Sequence, residues 1–270
     1  MSRKNWKSKK VFTRLLENKT QKTFWDNIIE LRKRPNKEVY NRAFELAKSS
    51  NEKEKIIGIY VLAQLGPNPR FQQKKTVDLY FKLLENEKSP KVISAILSSI
   101  SHNNEILNEK QILKLIEFKK HTYSDVRFQL TLALSCLENE NAIKTLIELS
   151  QDKYSDIRNW STFGLGSQIE INNAEITKAL WNRTNDKNQE TKLEAIVGLA
   201  NRKDSRIKEI IKRELKNDEY GALLFDAIET LNDTDFIPLL TENLKLAKND
   251  SGISNEWISV LKECIKKISK

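Results

Sequence analysis

Residues 156–204 read DIRNWSTFGLGSQIEINNAEITKALWNRTNDKNQETKLEAIVGLANRKD, and this stretch holds the same pattern twice. Counting from Arg158, small residues fall three and six places on (Ser161, Gly164) and a leucine seven on (Leu165). Counting from Lys192, the same places hold Ala195, Gly198 and Leu199. Small, small, large at this spacing marks one face of a helix that a neighbour approaches closely. Between the two copies, Ile176, Leu180 and Trp181 give a second helix its own apolar stripe. The repeating unit is therefore helix, short turn, helix.

The register extends in both directions. Lys55, Val92, Arg127, Arg158, Lys192 and Leu224 align at gaps of 37, 35, 31, 34 and 32 residues. Asn51, Ser89 with Pro90, Ser124 with Asp125, and Ser155 with Asp156 mark fresh helix starts, being N-cap or first-turn residues. Helices with their own periodicity precede or follow at 71–84, 112–118, 143–149, 176–181, 207–215 and 236–246. One such pair cannot bury its apolar face alone, but stacked pairs make a continuous core. The sequence thus predicts an all-α protein, a right-handed α-solenoid of stacked two-helix repeats over 36–247. A basic helical cap precedes it at 1–35, and a capping helix follows at 248–270.

The pairs Asp152 with Arg158 and Asp186 with Lys192 set an acid in the turn six places before a base in the second helix. That spacing resembles the charge ladder of HEAT repeats, and is most similar to the short HEAT-like repeats of phycobilisome lyases. The ladder decays at the ends, where Asp218 faces Leu224 and Ser49 faces Lys55. The blocks 156–172, ALWNRTND and 194–204 also resemble a stretch of bacterial HEAT-repeat proteins of unassigned function. Neither a W-x-x-L-G-x-x-Y nor a T-P-L-H pattern occurs, which disfavours tetratricopeptide and ankyrin repeats. The resemblance implies a non-catalytic interaction module: an adaptor, an assembly factor or a neutralising, immunity-type binding protein. A chromophore lyase ranks last, because fold likeness does not transfer function.

Seven Gly and five Pro in 270 residues suit helices with short connections. The longest apolar run, 56–63, is too short for a membrane span, and no signal peptide is evident; the expected location is the cytoplasm. Cys136 and Cys264 lie far apart and read as packed thiols. His102 and His121 have no metal-ligand spacing, and no phosphate loop or nucleophile elbow occurs. No cofactor, metal or catalytic residue is expected.

The net charge of +10 is unevenly spread: residues 1–50 hold 14 Lys and Arg against 5 Asp and Glu. Lys4, Lys7, Lys9, Lys10 and Arg14 form the basic side of a helix whose other side is Trp6, Val11, Phe12, Leu15 and Leu16. That helix either contacts an anionic partner or caps the first repeat. In the repeats, the positions two and nine beyond the register point form the expected concave stripe. It includes Gln129, Trp160, Glu194, Asp226, Asn201 and Asp233. A polar-to-acidic stripe repels phosphates and suits a basic or polar protein partner. Trp160 either packs over Gly164 or Gly166 or anchors that partner; Trp181 reads as core. The alternative is a DNA-binding protein resembling HEAT-like DNA glycosylases, with nucleic acid met only through the N-terminal segment.

Overall fold

The computed structural model describes residues 3–217 and 220–270; Asp218 lies outside the described residues. These residues form sixteen α-helices with short 3-10 turns and one π turn, and no strand. The chain divides into two compact units, residues 1–137 and 138–270.

The first unit holds α1 (Ser8–Leu16), α2 (Gln21–Arg32), α3 (Lys37–Ala47), α4 (Glu52–Ala63), α5 (Gln73–Leu84), α6 (Pro90–Ile100), α7 (Glu109–Ile116) and α8 (Ser124–Leu134). The second helices α4, α6 and α8 pack in series, and α1 and α2 lie against α4. Val11, Phe12 and Leu15 are at most 4% exposed, so the apolar side of α1 is spent on the unit itself. The second unit holds α9 (Glu140–Leu149), α10 (Ser155–Phe163), α11 (Ala174–Arg183), α12 (Gln189–Asn201), α13 (Ile207–Glu214), α14 (Leu223–Leu231), α15 (Ile237–Asn249) and α16 (Asn255–Ile268). Here α10, α12, α14 and α16 follow one another in contact.

Local chemistry explains where the helices begin. Asn36, Asn51, Ser89, Asn108, Asn139, Asn173, Asn188 and Ser254 each accept a hydrogen bond from a first-turn amide. For α8 and α10, Ser124 and Ser155 are the first helical residues, and Tyr123 and Tyr154 precede them without a side-chain cap.

The small positions of the repeat are contact points. A Cβ on Gly58 would lie 2.2 Å from the Ala47 amide nitrogen and 2.4 Å from the Ala43 carbonyl, so α3 and α4 touch through backbone. A Cβ on Gly198 would lie 2.6 Å from Gly166 Cα. Gly166 sits in the π turn, Gly164–Gln168, that ends α10. Arg202 holds that turn: its guanidinium donates to the carbonyls of Leu165 (2.7 Å), Gly166 (3.0 Å), Ile169 (3.0 Å) and Ile171 (3.1 Å).

Two sequence expectations differ from the structure, and the charge ladder gains a partner that spacing does not specify. Cys136 is exposed in a left-handed turn (φ 67°), because α8 ends before it; only Cys264 is a packed thiol, pushed up to about 12 by burial. Trp181 is half-buried rather than core: its indole donates to Asp204 (2.9 Å) and the Arg206 guanidinium lies over its ring. The bases of the charge ladder join successive repeats. Arg158 donates to the backbone carbonyl of Asp152 (3.0 Å), but its carboxylate partner is Asp186 of the next turn, at 2.8 Å through both Nε and Nη2. Lys192 likewise reaches forward to Glu214 (3.0 Å), and Lys55 to Glu87 (2.7 Å). Each base is thus a bolt between successive repeats.

Candidate functional site

In the second unit, α10, α12 and α14 present Trp160, Glu194 and Asp226 from the same place in the repeat. The close approach of Gly198 to Gly166 draws α12 onto the end of α10, so these positions occupy adjoining helices. Trp160 is 40% exposed and meets Phe163 edge-on at 5.6 Å between ring centroids. Glu194 is half-buried and Asp226 exposed. Among the described residues no basic group forms an ion pair with Glu190, Glu194 or Asp226. The bases on and around these helices are engaged elsewhere: Lys192 by Glu214, Arg158 and Arg183 by Asp186, and Lys267 by Glu229.

The electrostatic consequence falls on Glu194. Partial burial, with Glu190 and Asp226 adding repulsion, raises its carboxyl to about 7. Near neutral pH it shares its proton with solvent, a state that a docked cation would convert to the anion.

The remaining stripe residues are placed differently. Asn201 is exposed, and its amide donates to the Gly166 carbonyl at 3.3 Å. Asp233 pairs with Lys208 and accepts from the Asp235 amide, which holds it below the usual carboxylate range. It belongs to the scaffold because it caps the turn before α15. Gln129 stands half-buried on α8, in the first unit. There the equivalent positions Ile57 and Ser94 are 0% and 6% exposed, so the first unit lacks this stripe on α4 and α6. Glu190, two residues before Lys192, was invisible to a register counted two and nine places on, although its acidity and its one-turn spacing from Glu194 were in the sequence.

Lys4, Lys7, Lys9, Lys10 and Arg14 are all solvent-exposed. The segment is tied down by Arg34, whose guanidinium donates to the carbonyls of Trp6 (2.7 Å) and Arg3 (3.0 Å). Lys10 also stands over the Trp6 ring at 4.7 Å. No helix among the described residues is long and apolar enough to cross a membrane. Among them, no group of three His, Cys, Asp or Glu is arranged to hold a metal ion.

No family model matches the chain. Protein YibA of Escherichia coli K12 is 27% identical over 229 residues, which span 82% of this chain and 79% of YibA. The crystal structure of YibA superposes with a TM-score of 0.73 at 23% identity, covering 99% of this chain and 94% of YibA. The crystal structure of an engineered protein gives a TM-score of 0.52 at 20% identity, over 71% of this chain and 98% of that one. The chain is thus a helical-repeat protein of the α-solenoid class, similar in sequence and in fold to YibA.

Proposed function

We propose that the chain is a non-catalytic protein-interaction module whose second unit binds a basic segment of a partner protein across Trp160, Glu190, Glu194 and Asp226. The observation that carries this reading is three carboxylates without an ion-pair partner among the described residues, set beside a tryptophan that is 40% exposed. A guanidinium or ammonium group answers both features, through charge and through the ring face. Assignment as an adaptor, an assembly factor or a neutralising partner of the kind short bacterial HEAT-like repeats suggest rests on the identity of that segment.

The test is a photo-crosslinking amino acid at position 160, with adducts from cell extract identified by mass spectrometry. Adducts should map to Lys- or Arg-rich segments and disappear when Glu194→Lys and Asp226→Lys are combined. Adducts that persist in the charge-reversed protein would refute the reading.

The second reading, nucleic-acid binding, is favoured only by the exposed row Lys4, Lys7, Lys9, Lys10 and Arg14. Salt-sensitive DNA binding by the full chain that vanishes on deletion of residues 1–22 would support it. Binding by the repeats alone would contradict the acidic face.

A further inference from the structure

A second, chemically opposite site lies in the first unit. A cavity of about 410 Å³ opens between the C-terminal end of α2 and the loop after α4, lined by Ile29, Arg32, Lys33, Gln64, Pro67 and Arg70 among others. Every charged residue on its wall is a cation. The Arg32 guanidinium is oriented by donation to the Tyr60 carbonyl (2.8 Å) and Gln64 Oε1 (3.1 Å). Arg70 is pinned through Nη1 to the Gly66 carbonyl (2.8 Å), and its buried Nε has no hydrogen-bond partner. Among the described residues neither arginine, nor Lys33, has an ion-pair partner. The two carboxylates of α2 are occupied: Asp26 by Arg3 at 3.2 Å and Glu30 by Arg34 at 2.5 Å.

Leaving these cations together is costly. Burial, with Arg70 contributing, draws Arg32 down to about 10, and burial with both arginines pushes His102 below its ordinary value. Two oriented guanidinium groups with no carboxylate partner among the described residues carry the recognition chemistry of an oxyanion. Two further features define the ligand. Two arginines and a lysine match a doubly charged group better than a carboxylate. The cavity also exceeds what a bare inorganic anion fills, and part of its wall is apolar: Ile29, which is 46% exposed, lines it together with Pro35 and Pro67.

We infer that this cavity is a binding site for a phosphate monoester, with Arg32, Lys33 and Arg70 taking the phosphoryl oxygens and Ile29 and Pro67 supporting the organic group. The ester has two potential sources, a free small molecule or a phosphorylated side chain, and both present the same dianion to the arginines.

The test is calorimetric titration of the full chain with phenyl phosphate, inorganic phosphate and a phosphotyrosine-containing pentapeptide, with a single-stranded oligonucleotide as comparison. Phenyl phosphate should bind saturably at one site, at least about tenfold tighter than inorganic phosphate because of the apolar part of the wall. A further gain with the pentapeptide identifies a phosphorylated protein as the source, and equal or weaker binding identifies a small molecule. Arg70→Gln should abolish binding while leaving the melting temperature unchanged or raised, since it relieves repulsion from Arg32. Lys33→Gln, on the exposed end of α2, provides a second variant and should weaken binding severalfold. Absence of saturable phenyl phosphate binding would overturn the inference. So would binding unchanged in both variants, or preferential binding of the oligonucleotide.

Discussion

The charge ladder between repeats makes a quantitative prediction. Arg158 and Asp186 form a bidentate pair at 2.8 Å, with side chains 15% and 3% exposed, and Arg183 approaches the same carboxylate at 3.0 Å. Asp186→Asn removes the acceptor charge and leaves two half-buried guanidinium groups facing each other. Breaking one side of a buried pair costs about 3–5 kcal/mol. Arg158 keeps its bonds to the carbonyls of Asp152 and Lys153, so the lower end, about 3 kcal/mol, is expected. Arg158→Met should cost about 2 kcal/mol, because the remaining Asp186 still has Arg183 and the Asn188 amide. In a double-mutant cycle by urea denaturation, Arg158 and Asp186 should couple by about 2 kcal/mol, whereas Arg158 and Asp152 should couple by less than about 0.5 kcal/mol. Burial opposes ionisation of Asp186, but the bonds from Arg158, the Asn188 amide and Arg183 outweigh it and hold its carboxyl below 3.8. The wild-type advantage over Asp186→Asn should therefore be full above that value and lost as pH falls through the folded-state pKa. Stronger coupling of Arg158 to Asp152 than to Asp186 would refute the pairing between repeats.

Two further outcomes follow from the packing and the acidic face. Gly58→Ala should destabilise the first unit by more than about 3 kcal/mol despite the better helix propensity of alanine, since the methyl meets backbone of α3 at 2.2 and 2.4 Å; a raised melting temperature would disprove the α3–α4 crossing. Glu194→Gln should stabilise the protein at pH 8 and be neutral at pH 4. The rise from 4.5 to about 7 converts to at most about 3 kcal/mol, which solvent screening of a half-buried group reduces to about 1 kcal/mol. The sign follows because a raised carboxyl penalises the folded state as pH climbs from the unfolded value through the folded one; thermal melts across that range check it.

The fold was legible because its cause is periodic. Gly58, Ala95, Ser161 and Ala195 recur at one helical position, and all are buried where the next helix approaches. Helix starts were equally local, with Asn51 and Ser89 capping as their types suggest. What escaped the sequence depends on long-range pairing. The six-residue spacing relates Asp152 to Arg158 in sequence, but a long guanidinium also reaches the next turn, and only the stacked geometry reveals Asp186 as its bidentate partner. Ile57 shares a register position with Trp160 yet is fully buried on α4, against which α1 and α2 pack. Arg32 and Arg70 lie outside the second helices altogether, so a stripe counted along those helices passes them by. Their significance comes from a shared cavity wall that no spacing encodes.

The central claim, that the second unit's face recognises a basic segment, is tested most directly by titrating an eight-residue alternating Lys–Arg peptide into the full chain at pH 6 and pH 8. Docking a cation requires Glu194, whose carboxyl burial raises to about 7, to give up a proton that is mostly bound at pH 6 and mostly lost at pH 8. The account predicts up to about tenfold tighter binding at pH 8, with proton release at pH 6. It also predicts loss of that pH dependence in Glu194→Gln, and at least about tenfold weaker binding in Trp160→Ala combined with Asp226→Asn. Binding that is absent, or equally strong in these variants and indifferent to pH, would contradict it.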